Sequence, residues 1–444
     1  MVNIYNYLKN VFQDIKNQNS ENSLFLLILL LLISIPLPYF INNILLAFLI
    51  IFSIKNYKKS NYNFSVSLVL PLILFGLMSL SYFWSIDKTE TISAIPKEIA
   101  LFVFPLAFLF NQKFSAIQLE KIKQYYSFSM VVLVIFFLIR AVIRYALFHD
   151  SRVFFYHGEN DDDYGLVPKL LNAIHVSVFV ALGFFYFFSK EVKTKTEILF
   201  SILLFGFIIL LSSKNIILVV ILLIFIHLFF FSKIAHKMRL RNLIIFGAII
   251  LVALSMGKIK ERFKEEFRNN TPNSLSTNVT ASLENGVHNI SIYEAWNNEK
   301  FTPNDYFPGT AFRVYQARMF FELLKEEPIF LKGFGLNASK KMLLEKEKKY
   351  NLYSGYGGFN FHNQYIQNFA ELGIIGFLLL LTMLFVNIKN AINTKDFVHF
   401  TFAILMISLF LTETFLWRQR GVVFFTLFYC LFNTNISQRK IIIE

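Results

Sequence analysis

The chain has 444 residues, of which 55% are hydrophobic, 18% aromatic and only 16% charged, and its mean hydropathy is +0.52. Soluble domains carry closer to a quarter charged residues, while the apolar runs here recur at the roughly 20-residue length needed to cross a hydrocarbon core, so a soluble globular protein is excluded. The formal net charge of +14 reads as membrane topology and not as a nucleic-acid signal, because it follows the positions of the apolar runs.

Polar residues precede the first apolar run and no small-residue cleavage site follows it, so no cleavable signal is expected. Twelve spans are predicted, near 23–40, 41–54, 66–85, 91–110, 125–148, 171–189, 197–213, 214–232, 240–256, 362–388, 396–417 and 421–434. With the N-terminus inside, the short cytoplasmic segments hold 19 Lys and Arg, and the short segments opposite hold six. That asymmetry sets the orientation by the positive-inside rule. The predicted fold is an all-α polytopic membrane protein of about 12 transmembrane helices with one large, partly helical outer loop. Its parts are an N-terminal bundle of about nine helices (1–256), the loop (257–361), and about three helices with a short cytoplasmic tail (362–444). No internal repeat of the kind that marks many transporters is present.

Several polar residues sit where lipid makes them costly. Arg140 and Arg144, four apart near the outer end of the fifth span, share a helical face and suit an anion clamp, since a guanidinium offers a planar set of donors to phosphate oxygens. Snorkelling to the headgroups is the plainer account of the same pair. Lys97 and Glu98, early in the fourth span, read as an ion pair or an interface anchor. Asp161–Asp163 read as a solvated acidic loop. Lys214 lies at the tight outer turn Ser212-Ser213-Lys214-Asn215, and Glu413, Arg418 and Arg420 cluster at another outer hairpin, where they can pair with one another.

In the long loop, Lys258–Arg268 reads as a charged amphipathic helix, 269–310 as irregular, Phe312–Leu324 as a helix ending before Pro328, and Lys340–Tyr350 as a second helix. A turn at Gly333-Phe-Gly335 joins the two, and Gly355–Gly358 makes a flexible approach to His362. Arg313 opens the first of these helices. His362 stands where the loop enters an apolar helix, and Gln364, Gln367, Asn368 and Glu371 recur behind it at i, i+3, i+4 and i+7, on one face. That face should look into the bundle or a wet cavity. Of the eight histidines only His362 has such a face behind it, and no histidine–carboxylate grouping has the spacing of a metal centre. The single cysteine, Cys430, excludes an intrachain disulfide.

His362-Asn363, followed after nine residues by Gly373-x-x-Gly376, resembles the signature of the O-antigen ligase and polymerase-like membrane proteins. Arg313–Gly335 (RVYQARMFFELLKEEPIFLKGFG) is similar to the stretch that precedes that histidine in the family, and Ser79–Ile92 and Thr412–Gly421 are further matches. The resemblance implies a multi-pass protein of the bacterial inner membrane whose periplasmic face transfers a glycan from an undecaprenyl-diphosphate-linked donor to lipid A–core or another glycan acceptor, without a cofactor or a metal. By position it makes His362 the base and Arg313 the loop arginine. Lys214 stands where the family usually has an arginine, a departure that replaces a fork with a point charge. Arg140, Arg144 and Arg418 are candidates for the remaining diphosphate contacts, and Asn363, Gln364 and Glu371 for the substrate-facing wall. Phe377 replaces the Thr that true ligases often carry, leaving a repeat-unit polymerase as the alternative and a lipid-linked glycan transporter as the more distant one.

Overall fold

The computed structural model describes residues 2–56, 62, 64–157, 164–232, 241, 244, 247, 288–302 and 304–434. The expected ninth span, the amphipathic helix Lys258–Arg268 and the acidic loop Asp161–Asp163 lie almost wholly outside them. The first ten helices are α1 (Val2–Glu21), α2 (Phe25–Ser34), α3 (Tyr39–Lys55), α4 (Val66–Leu80), α5 (Lys88–Ala94), α6 (Ala100–Phe110), α7 (Ala116–Phe148), α8 (Ala173–Ser189), α9 (Lys195–Leu210) and α10 (Lys214–Ile226). After the undescribed stretch come α11 (Ile292–Asn297), α12 (Gly309–Glu326), α13 (Ser339–Lys349), α14 (Gln364–Thr394), α15 (Phe397–Leu409) and α16 (Gln419–Asn433). A helix lies over every expected span that the described residues cover.

Composition explains the architecture. Five helical stretches among the described residues are long and apolar enough to cross a membrane, Val66–Phe83, Lys88–Phe110, Ala116–Phe148, Lys214–Phe231 and Gln364–Thr394, beside four shorter apolar helices. The chain is therefore a multi-pass, all-α membrane protein. Helices α8 and α16 are buried along nearly their whole length, which makes them the centre of the bundle. The predicted fourth span is two pieces: Pro96 falls in a 3-10 turn, Ile95–Glu98, between α5 and α6, because proline removes a donor and clashes with the preceding turn. Lys97 is exposed there while Glu98 is buried. The predicted fifth span is longer than expected, because a capping box between Ser115 and Gln118 starts α7 at Ala116.

A second, smaller core belongs to the long loop. Phe301, Phe307, Phe312, Tyr315, Met319 and Leu323 pack together and onto Phe361 and Ala370 at the head of α14. The stretch read as irregular is ordered where it is described. His288–Asn289 (β1) pairs in parallel with Asp305–Tyr306 (β2), and a capping box between Ser291 and Glu294 starts α11. The Asn- and Ser-rich composition hides that cap.

Lys346, only 4% exposed, ties α13 to α12 through ion pairs to Glu322 (2.7 Å) and Glu326 (2.9 Å), and Tyr350 and Arg318 also donate to Glu322. Burial opposes ionisation of Glu322, but the hydrogen bonds from Lys346, Tyr350 and Arg318 outweigh it and hold its pKa below the ordinary value. The hydrogen bond from Lys346 does the same for Glu326. A depressed carboxylate pKa stabilises the fold above the unfolded-state value and loses that effect as pH falls through the folded one. Acidification below roughly pH 4.5 should therefore loosen this module, and Lys346→Met should cost about 1–3 kcal/mol at neutral pH. Hydrogen exchange in Gly309–Glu326 and Ser339–Lys349 measures both, and unchanged protection in the variant would contradict the assignment.

Candidate functional site at the head of a broken helix

Asn363 caps α14, its side chain accepting from the Ile366 N–H at 3.1 Å. Ten residues later the helix breaks at Gly373, whose backbone adopts φ 66° and ψ −165°. A break frees backbone groups that must find partners when buried. Here the strap 329–335 supplies them. The N–H groups of Phe334 and Gly335 donate to the carbonyls of Ala370 and Glu371 at 2.8 Å, and Ile374 N–H donates to the Phe330 carbonyl at 2.8 Å. The approach is so close that a Cβ on Gly373 would lie 2.3 Å from the Leu331 carbonyl carbon, and one on Gly333 would lie 2.3 Å from that of Glu371. These two glycines are where backbone meets backbone, each at positive φ.

The strap is held from its other side by the hairpin after α4. Trp84 Nε1 donates to the Lys332 carbonyl and Ile86 N–H to that of Phe334, Leu336 N–H donates to Ser81 Oγ, and Thr91 Oγ1 to the Leu336 carbonyl. Asn337 then bridges Glu90 and the indole of Trp417. The stretches around residues 79–92 and 412–421 thus hold the strap, and the second of them also carries Glu413 to the histidine.

His362 sits at φ 47°, fixed by its N–H donating to Asn360 Oδ1 and by ring contacts with Phe312 and Phe359, at centroid distances of 5.6 and 5.9 Å. Its Nδ1 lies 3.8 Å from Glu413 Oε2. The other Glu413 oxygen accepts from Arg313 Nη2 at 3.0 Å, while Arg313 Nε and Nη1 donate to the carbonyls of Thr412 and Gly309. His362, Glu413 and Arg313 therefore form one cluster between the loop module, α14 and the hairpin 410–418. That hairpin is fastened to the head of α14 by Asn363 Nδ2 donating to the Leu411 carbonyl, Gln364 N–H to that of Phe410, and Leu416 N–H to Gln364 Oε1.

The sequence places Glu413 with Arg418 and Arg420 as possible ion-pair partners, with no role at the histidine; its partners are instead Arg313 and His362. Arg420 turns inward to the carbonyls of Leu170 and Leu37 and stacks on Tyr39 at 4.0 Å. Arg418 is exposed beside this turn. The signal for Glu413 was its place as the one acid in the hairpin 410–418. His175 was missed too: it is buried against Phe415 (4.6 Å), within electrostatic reach of Glu413 and Arg418.

The predicted polar face lies mostly within protein. Gln364, Gln367, Asn368 and Glu371 are all buried. Gln364 donates to Asn368, Gln367 donates to Glu371 and to Ser339 Oγ, and Gln367 Oε1 accepts from the Phe361 N–H. This wall orients the segment carrying His362. Lys214 opens α10 beside Asn215, which bonds Ser408 and Thr412 and so stands next to the Arg313 anchor. Arg140 and Arg144 belong to another neighbourhood: Arg140 donates to the Leu166 carbonyl and Arg144 lies over the Tyr164 ring.

Residues 199–381 match the family model described as O-antigen ligase, a range that contains Lys214, Arg313, His362 and both glycines of the break and stops short of Glu413. No curated protein matches the chain. The chain is thus similar to the O-antigen ligase family over residues 199–381.

Proposed function

We propose that the protein is an O-antigen ligase-like glycosyltransferase, moving a glycan from an undecaprenyl-diphosphate carrier to a hydroxyl of lipid A–core at the periplasmic face of the bacterial inner membrane. The observation that carries this reading is the His362–Glu413–Arg313 cluster, where the loop module meets a membrane helix. With Nδ1 turned to Glu413, Nε2 is the nitrogen that receives the acceptor's proton. The acceptor oxygen then attacks the anomeric carbon, and the bond to the diphosphate breaks with its electron pair leaving on phosphate oxygen. Glu413 stabilises the imidazolium so formed, in the manner of a carboxylate behind a catalytic histidine, and Arg313 keeps Glu413 oriented. Arg418 and Lys214, with the remaining donors of Arg313, supply positive charge for the departing diphosphate. The orientation rests on the excess of Lys and Arg in the segments expected to be cytoplasmic.

A repeat-unit polymerase is the second reading, favoured by Phe377 in place of Thr. A strain lacking the gene separates the two. Loss of long chains from lipid A–core, with carrier-linked polymer accumulating, marks a ligase; retention of single repeat units alone marks a polymerase. Unaltered surface glycan would refute both. Arg313→Lys should lower transfer by roughly one to two orders of magnitude, since loss of a charge-assisted contact costs about 1.5–3 kcal/mol and lysine cannot reach three acceptors at once. Near-normal turnover would reduce Arg313 to a loop anchor.

A further inference from the structure

The strap that closes the broken helix presents two large apolar side chains outward. Phe330 is 55% exposed and Leu331 62%. Their place is fixed, because the Phe330 carbonyl accepts from Ile374 at the start of the second half of α14. From that point Ile375, Leu378, Leu381 and Phe385, all exposed, descend one face of α14 at helical spacing. This face belongs to a helix long and apolar enough to cross a membrane, which makes lipid its expected cover. Leu331 and Phe330 continue that lipid-covered face upward, past the helix break.

The apolar band extends further into the loop module. The Phe330 ring contacts Phe369 at 5.8 Å, Phe369 contacts Phe320 at 5.4 Å, and Phe320 contacts Phe321 at 5.5 Å. Phe321, 49% exposed, meets Trp296, 45% exposed, at 6.2 Å. Lys325 and Lys332 are exposed close by in sequence. Aromatic rings flanked by lysines are the composition of a membrane–water interface.

We propose that the loop module lies on the bilayer surface, with Phe330, Leu331, Phe321 and Trp296 seated in the headgroup–acyl boundary. The occupant of this face is lipid. Docking there sets the height of the strap, and with it the head of α14, relative to the membrane.

The test uses the full-length chain in lipid nanodiscs with a nitroxide at Leu331→Cys or Phe321→Cys; native Cys430 is fully buried. Leu378→Cys on the lipid-covered stripe and Glu345→Cys on the charged helix α13 give the two references. Labels at 331 and 321 should be relaxed by oxygen in preference to an aqueous nickel chelate, with an accessibility ratio several-fold above that at 345 and approaching that at 378. A ratio equal to that at 345 overturns the proposal in favour of a water-facing surface. Immobile labels shielded from both reagents overturn it in favour of a protein partner or a second copy.

Discussion

His362→Ala is expected to abolish glycan transfer while leaving the protein in the membrane. A positioned general base contributes typically 10²–10⁴-fold, and acceptor activation has no second base in the cluster, because Glu413 is engaged by Arg313. The side chain is partly exposed, 26% by area, so its truncation leaves no deep cavity. Its backbone sits at positive φ, and the hydrogen bond that holds it there runs from the backbone N–H to Asn360 Oδ1, which alanine keeps. A loss of fold is therefore not the expected cause of lost activity, and unfolding midpoints in detergent should stay close to the parent's. Glu413→Gln should give a smaller loss, and the double variant should be no worse than His362→Ala alone. Residues that act as one unit are non-additive in this way. Retained transfer by His362→Ala would remove the base assignment, and additive losses would separate Glu413 from it.

The junction at His362 was legible because two signals coincide there: a polar loop ends, and an apolar run with polar residues at i, i+3, i+4 and i+7 begins. Burial of all four confirms the face. What that face touches was not legible, since periodicity reports direction and not partner. Glu413 lies 51 residues beyond His362 in the chain, and only the folding of the hairpin 410–418 onto α14 brings them together. Arg420 shows the converse: the same local cluster suggested an acid–base pairing, yet the deeper carbonyls of Leu37 and Leu170 captured it. Arg140 and Arg144 were chosen because guanidinium in a membrane helix is costly, a criterion blind to which loop covers the helix end. The two glycines of Gly373-x-x-Gly376 were visible as a motif, whereas the break in the helix and the strap that fills it depend on backbone partners from residues 329–335.

Gly373→Ala is expected to disrupt the fold at the functional end of this chain. Its φ of 66° and ψ of −165° lie in a region essentially confined to glycine and cost another residue about 1–3 kcal/mol. The added Cβ would also stand 2.3 Å from the Leu331 carbonyl carbon and 2.6 Å from the Lys332 nitrogen, so neither a rotamer change nor a small side-chain shift relieves it. Relief requires the strap to lift. Lifting orphans the carbonyls of Ala370 and Glu371 and the Ile374 N–H, and each buried backbone group left unpaired costs about 1–3 kcal/mol. The disturbance then travels through Asn337 to Trp417 and the hairpin that carries Glu413, so transfer should fall along with thermal stability. Gly358→Ala is the control: it lies in the same approach to His362, with nothing within 4 Å of the built Cβ and no positive φ, and should change the unfolding midpoint little. If Gly373→Ala melts with the parent, the strap does not close the broken helix, and α14 runs straight through the site.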